Sequence, residues 1–147
     1  SIDFTNFWRN LSRLSPSQRS ELSDEKIMEL MKKPLGKVAD PNRRRQWIRI
    51  LRKYLTRAAE EGVPDEDRAK AMNSVNPKFI LRNYLAQIAI QQAELGEYAE
   101  FRTLMRILES PFDEHEEEET GKLADRLTEE PPSWAFRPGV CQNSCSS

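Results

Sequence analysis

The sequence predicts an all-α fold of about five helices. Apolar residues recur at intervals of three and four along most of the 147 residues, and no alternating stretch is long enough to indicate a strand. Two dipeptides, Asp40-Pro41 and Asn76-Pro77, have the form of a helix start, with a capping side chain followed by proline at the first helical position. The hydrophobic fraction is 37% and the charged fraction 32%, a composition typical of a charge-rich chain with a modest core.

Two short helices are predicted at the beginning of the chain. The first follows Asp3 or Thr5 as its cap and has one apolar face made of Phe4, Phe7, Trp8, Leu11 and Leu14. The second opens at Ser23-Asp24, carries Ile27, Leu30 and Met31, and ends at Pro34 and Gly36.

Three longer helices follow. The one that opens at Asp40-Pro41 ends at Gly62, and its apolar stripe consists of Trp47, Leu51, Tyr54 and Ala58. The one that opens at Asn76-Pro77 ends at Gly96 and is apolar over a wide arc, so we expect it to be the most buried. The last ends at Ser110-Pro111 and is marked by Tyr98, Phe101, Met105 and Leu108.

The character of the chain changes after residue 112. Residues 113–119 are nearly all acidic, and a block of like charge of that size is usually solvated. Beyond it come Pro131-Pro132 and a serine-rich end. We therefore predict a helical domain over residues 1–112 and, over 113–147, a flexible acidic linker with a disordered, proline-containing tail.

Several functional classes lack their parts in this sequence. There is no glycine-rich phosphate loop of the Walker or kinase type, and His115 is the single histidine. A nucleophile with its base, or a metal site with several spaced ligands, cannot be assembled from these residues. No apolar run approaches the roughly 20 residues of a membrane span, and no secretory signal is visible. We expect no catalytic residues, no metal site and no independent enzyme activity.

A basic stretch on the helix after Asp40 is a candidate interaction face. No acid interrupts it, and its candidate contact residues are Arg43, Arg44, Arg49, Arg52 and Lys53. One interpretation is a surface for phosphate groups or an acidic partner. The other is a solvated helix face, since residues 43–45 wrap most of a turn and cannot all reach one ligand.

Two cysteines, Cys141 and Cys145, lie within the last seven residues. Two thiols at the extreme end cannot staple a fold, but exposed thiols can exchange with disulfides, and a neighbouring thiol can resolve the mixed disulfide. They are a candidate redox site. Two ordinary surface thiols remain the alternative.

The segment Asn76 to Gln87, NPKFILRNYLAQ, resembles a specific stretch near the end of the selenoprotein O family, the YdiU type. Further similarity lies in Leu108 to Phe112, in the proline-tryptophan run Pro131 to Ala135, and in Ser144 to Ser147. In the last of these, Cys145 stands at the position that is selenocysteine in some members. The resemblance spans nearly the whole chain.

The resemblance implies that the chain is the helical carboxy-terminal part of a protein-kinase-like fold. Its parent would transfer AMP from ATP, with Mg²⁺ or Mn²⁺, to serine, threonine or tyrosine of proteins. The nucleotide and metal ligands of the family precede this region, so no cofactor is expected here. The terminal cysteine would form a disulfide with a cysteine of the kinase-like domain and would lower activity when oxidised. Because Cys141 lies close to Cys145, it stays open which of the two thiols forms this disulfide.

The expected partners are the upstream kinase-like domain of the same protein and the protein substrates of the parent, with no membrane and no nucleic acid. The expected compartment is the cytoplasm for a bacterial homologue and the mitochondrion for a eukaryotic one. Two rival hypotheses stay open. One is a non-enzymatic helical adaptor that binds acidic partners or nucleic acid through its arginine-rich helix, and the other is a thiol-disulfide protein.

Overall fold

The computed structural model describes residues 2–115, 118–129 and 131–136, and these ranges contain eight α-helices, two 3-10 turns and no strand. The all-α prediction is confirmed. The chain divides into two compact units, residues 1–77 and 78–147. The first unit contains α1 (Phe4–Ser12), α2 (Asp24–Leu30), α3 (Lys32–Leu35), α4 (Pro41–Glu60) and α5 (Asp65–Val75). The second contains α6 (Asn83–Glu94), α7 (Ala99–Glu109) and α8 (Glu118–Thr128). The 3-10 turns are Pro16–Gln18 and Ser133–Phe136.

Three helices of the first unit begin where the sequence places a capping side chain. Asp3 accepts a hydrogen bond from the amide of Asn6, and Ser23 accepts one from Lys26, each at 3.1 Å. Asp40 accepts from the amide of Asn42 at 2.9 Å, with Pro41 at the first helical position. Each cap satisfies an amide that has no partner within its own helix.

The core of the first unit joins α1, α2 and α4. Its buried side chains are Leu11, Leu14, Ile27, Met31, Leu51 and Leu55. Phe7, Tyr54 and Met72 pack against this cluster from the side. The core thus takes residues from each apolar stripe that the sequence predicts for α1, α2 and α4. Of the stripe predicted for α1, however, Phe4 and Trp8 are exposed.

Two arginines link α1 and α5 reciprocally. From α1, Arg9 donates through Nε to the carbonyl of Asn76 at 2.9 Å, and through Nη2 to that of Asn73 at 3.3 Å. From α5, Arg68 donates through Nη2 to the carbonyl of Ser12 at 2.9 Å and also to that of Leu14. Each arginine thus satisfies carbonyls at the carboxyl end of the other helix, where a cation is also favoured by the helix dipole.

The core of the second unit joins α6, α7 and α8. Its buried side chains are Phe79, Tyr84, Leu85, Ala89, Leu104, Ile107, Leu123, Ala124, Leu127 and Ala135. An ion pair adds to the packing of α7 with α8, since Arg126 Nη1 lies 2.8 Å from Glu100 Oε1. Helix α8 lies within the acidic segment for which the sequence predicts a flexible linker.

The prediction that Asn76-Pro77 opens a helix is wrong. Residues 76–82 are non-helical, and α6 begins at Asn83. The amides of Lys78 and Phe79 both donate to the carbonyl of Pro111, at 2.8 and 3.2 Å, so they are held by a distant part of the chain. The phenyl ring of Phe79 is buried in the core as a result.

The structure also contains helices that the sequence pattern does not indicate. Helix α5 has no buried residue, so it lacks the apolar stripe that predicts a helix. Helix α3 is a single turn that includes Pro34. These two and α8 raise the number of helices above the expected five.

Candidate functional site

Helix α4 carries the five basic residues predicted as an interaction face, and the structure divides them into two groups. Arg43, Arg49 and Lys53 are exposed, whereas Arg44 and Arg52 are partly buried. Nη2 of Arg44 lies 3.8 Å from Oε1 of the exposed Glu25, a separation at which a solvated ion pair contributes little. The five residues therefore do not form one uniform face.

Arg52 belongs to the packing of the first unit. Its guanidinium donates to Asp24 Oδ1 through Nη2 at 2.7 Å and through Nε at 3.0 Å. It also donates to the carbonyls of Leu22 at 2.6 Å and Arg19 at 2.8 Å. Four hydrogen bonds from one planar group fix the segment before α2 against α4, so this residue is occupied within the fold.

The remaining cations follow a line along α4. Arg45, Arg49 and Lys53 are exposed and recur every four residues, so they share one side of the helix. Arg49 and Lys53 border a shallow surface depression whose further residues are Arg52, Thr56, Arg57 and Glu60. Arg57 pairs with Glu61, with Nε and Oε1 3.3 Å apart. This side of α4 can therefore attract anions.

A second depression lies at the amino-terminal end of α4 and has a volume of about 390 Å³. Leu35, Val38 and Trp47 form its apolar wall, and Lys37 and Arg43 supply positive charge at its edge. Arg43 is the single predicted site residue that borders it. The lining is mixed and gives no set of convergent polar groups of the kind that defines a small-molecule site.

His115 is held by the second unit. Its Nε2 lies 2.8 Å from the carbonyl oxygen of Ser110, and its ring packs edge-on against Phe79 with centroids 5.4 Å apart. Within residues 2–115, 118–129 and 131–136, no group of three or more His, Cys, Asp or Glu side chains is arranged to hold a metal ion. Cys141 and Cys145, the candidate redox pair, lie outside the described residues.

Residues 81–84, the LRNY motif within the segment that carries the family resemblance, connect the start of α6 to the end of α8. Arg82 Nε donates to the carbonyl of Leu127 at 2.7 Å, and the Tyr84 hydroxyl donates to the carbonyl of Arg126 at 3.0 Å. Both acceptors lie in the last turn of α8, whose carbonyls have no partner within the helix. The Tyr84 ring also packs edge-on against Trp134, with centroids 5.6 Å apart. The motif therefore has a structural role here, since its arginine and tyrosine bond to backbone carbonyls of α8.

Two tyrosines have raised pKa values: Tyr54, which contacts Arg68 in the first unit, and Tyr84, which contacts α8 in the second. Burial raises the pKa of Tyr54 above its usual 10.0, although the nearby Arg68 guanidinium, 2.6 Å away, opposes the shift. Burial likewise raises the pKa of Tyr84, against the opposing charges of Arg82 and Arg126. Both phenols stay protonated at neutral pH, so they act here as hydrogen-bonding groups.

The chain is similar along its full length to curated bacterial proteins named protein nucleotidyltransferase YdiU. The relative from Aliivibrio salmonicida is 37% identical over 147 residues, which is 100% of this chain and 25% of that protein. The relative from Vibrio cholerae is 38% identical over 151 aligned residues, covering 99% of this chain and 26% of that protein. The chain belongs to the YdiU family.

A third relative extends the same finding. The protein from Cupriavidus pinatubonensis is 36% identical over 146 residues, covering 99% of this chain and 24% of its own length. The chain thus spans about a quarter of the YdiU proteins it matches. No family model and no solved structure matches it. Among the described helices, none combines the length and apolar character needed to cross a membrane.

Proposed function

We propose that this chain is the helical carboxy-terminal part of a protein adenylyltransferase, which transfers AMP from ATP to hydroxyl groups of serine, threonine or tyrosine on other proteins. The supporting observation is its 37% identity, along its whole length, to a protein nucleotidyltransferase four times as long. Its family resemblance in the LRNY motif supports the same assignment. Its setting is the bacterial cytoplasm.

In this proposal the reaction takes place in the part of the parent protein that precedes the chain. The kinase-like domain there binds ATP with Mg²⁺ or Mn²⁺, as the family resemblance implies. The 147 residues of this chain contain no glycine-rich phosphate loop. The helices described above form a scaffold for that domain. Their contribution is to support its position, and they do not contact the reacting phosphate.

The second role in the proposal is regulation by oxidation at Cys145, with Cys141 as the alternative thiol. A disulfide forms when this thiol and a cysteine of the preceding domain give up two protons and two electrons to oxidised glutathione, which is reduced to two glutathione molecules. The new covalent bond ties the tail to that domain and lowers the rate of AMP transfer. Reduced glutathione reverses the step.

AMP transfer by the full-length parent protein and by the isolated chain tests the proposal. We expect label from ATP carrying a radioactive α-phosphate to enter a protein substrate with the parent and not with the chain alone. Label transferred by the chain alone, or no transfer by the parent with Mg²⁺ or Mn²⁺, would contradict it.

The regulatory role has its own test in the parent protein. Oxidised glutathione is expected to slow the wild type and the Cys141→Ser variant but to leave Cys145→Ser unchanged. If Cys141→Ser is the resistant variant, the regulatory thiol is Cys141. Equal slowing of the wild type and the double variant would exclude both thiols.

A second candidate function is an adaptor that binds an acidic protein segment along α4. The observation that favours it is the exposure of Arg49 and Lys53, which make no ion pair within the described residues. Binding of a polyglutamate peptide by the chain should then weaken with added salt, and the double variant Arg49→Gln/Lys53→Gln should lose it. Binding that is insensitive to both changes would remove this candidate.

A further inference from the structure

Helix α7 is apolar on two adjacent sides, and only one of them is covered within the second unit. Leu104 and Ile107 are buried in the core, with 4% and 0% of their surface exposed. Tyr98, Phe101 and Met105 are 50%, 44% and 44% exposed. These three residues, which we call the α7 stripe, are among the four whose spacing indicated the helix in the sequence.

The geometry of the helix explains why both sides cannot face the same core. At about 100° per residue, Leu104 and Ile107 lie within roughly 60° of each other, and the three residues of the stripe fall within an adjacent sector of similar width. Together they make α7 apolar over roughly half its circumference. A helix that contacts its neighbours on one side normally has a polar face toward solvent, so an arc this wide is typical of a helix covered on two sides.

The stripe is also unlike the scattered apolar residues found on any protein surface. Two aromatic rings and a methionine lie in one row, and half-buried Leu108 continues the row into the core. Aromatic and methionine side chains are enriched at the centres of protein interfaces, where they bury a large area for few rotatable bonds. A row of exposed aromatic and methionine side chains of this kind favours an interaction site.

We infer that the α7 stripe is the docking surface for the preceding part of the same polypeptide. This inference rests on the proposed function, because it takes the chain to be part of such a protein. The match covers the whole of this chain but only 25% of the relative from Aliivibrio salmonicida. A large amount of additional polypeptide is therefore available to cover the stripe. A covalently attached partner is present at high effective concentration, which makes a small apolar patch sufficient for docking.

The test measures the reactivity of a thiol placed in the stripe. Met105→Cys and, as matched control, Arg106→Cys are made both in the isolated chain and in the full-length parent. Both positions are exposed on the same helix, but residue 106 points away from the stripe. The rate of maleimide labelling at each peptide is followed by mass spectrometry, so other thiols do not interfere.

We expect labelling at residue 105 to be slower by about tenfold or more in the parent than in the isolated chain, while residue 106 changes by less than about twofold. Adding Phe101→Glu to the parent should restore fast labelling at 105, because a carboxylate is costly to desolvate in an apolar interface.

Three results would overturn the inference. Equal rates at 105 in parent and chain would show that the stripe stays exposed. Equal slowing at 105 and 106 would show that the whole helix is shielded without preference for the stripe. Slow labelling in the isolated chain that depends on concentration would assign the stripe to a second copy. None of these rates depends on AMP transfer, so the labelling result and the proposed function can fail independently.

Discussion

Replacing Arg68 by methionine should destabilise the first unit. Its guanidinium donates to the carbonyls of Ser12 and Leu14, and Nη1 donates to the Tyr54 hydroxyl at 2.6 Å. A hydrogen bond from a charged donor contributes about 1.5–3 kcal/mol. Water can replace part of this in a half-buried site, so we expect Arg68→Met to lower the free energy of unfolding by about 2–4 kcal/mol.

Urea unfolding followed by tryptophan fluorescence measures this loss. The three tryptophans include Trp8 and Trp47 in the first unit, so a Trp134→Phe background confines the signal to that unit. The matched control is Arg49→Met, the same substitution at an exposed arginine of α4, where we expect a change within about 0.5 kcal/mol. If the two variants unfold at the same urea concentration, the reciprocal arginine contacts do not hold α1 to α5.

Three further predictions concern other parts of the chain. Arg82→Met should lower the free energy of unfolding of the second unit by about 1–3 kcal/mol, because the carbonyl at the end of α8 loses its donor. Urea unfolding followed by Trp134 fluorescence, in a background without the other tryptophans, measures this, and an unchanged transition would contradict it. Gly62→Ala should destabilise the first unit by about 1–2 kcal/mol, because Gly62 has a φ of 68° that a Cβ disfavours. Gly121→Ala, inside α8 with open space around a Cβ, should stabilise the second unit by about 0.5–1 kcal/mol. Urea midpoints of the two variants that move in the same direction would refute this pair of predictions. Since the pKa of Tyr54 is raised by burial, the unfolded chain releases this proton first, and the associated stability is present below about pH 10 and lost as pH rises through the folded pKa. The alkaline loss of stability, measured by urea unfolding over a pH series, should be shallower in Tyr54→Phe, and identical slopes would show that Tyr54 is not linked to it.

The helix starts of the first unit were predictable because each is encoded locally. Asp3, Ser23 and Asp40 are short side chains that accept a hydrogen bond from an amide two or three residues later, whatever the rest of the fold does. The apolar stripes of α2 and α4 likewise specify their buried sides, whereas the stripe predicted for α1 does so only in part, since Phe4 and Trp8 are exposed. These features depend on spacing alone, so the sequence is sufficient for them.

The errors arose where distant parts of the chain decide the local structure. Asn76-Pro77 has the form of a helix start, but the amides that follow it bond to Pro111, 33 residues beyond Lys78. The acidic residues that suggested a solvated linker extend to residue 119, whereas Leu123 and Leu127, further along α8, are buried. Helix α5 is held by Arg68 and by the carbonyls that accept from Arg9, and such contacts leave no periodic signal.

For the candidate site, the sequence identified charge but not its use. The basic residues of α4 were found as a group, but which of them is engaged depends on the position of Asp24 and of two carbonyls. Composition cannot supply that information, because an arginine that binds its own fold and one that awaits a ligand are the same residue type. Arg52 differs from Arg49 in its neighbours, which the folded chain brings together from distant positions.

The carbonyl of Pro111 accepts hydrogen bonds from the amides of both Lys78 and Phe79, so residues 78 and 111 are held together at the base of a helical hairpin. Helices α6 and α7 form this hairpin, and the turn around Gly96 connects them. With the base tied, lengthening this turn by a few residues adds only a fraction of a kcal/mol in closure entropy. In the isolated chain, the turn between Leu95 and Tyr98 is therefore a suitable place to insert an epitope or a fluorescent label while leaving the tied base undisturbed.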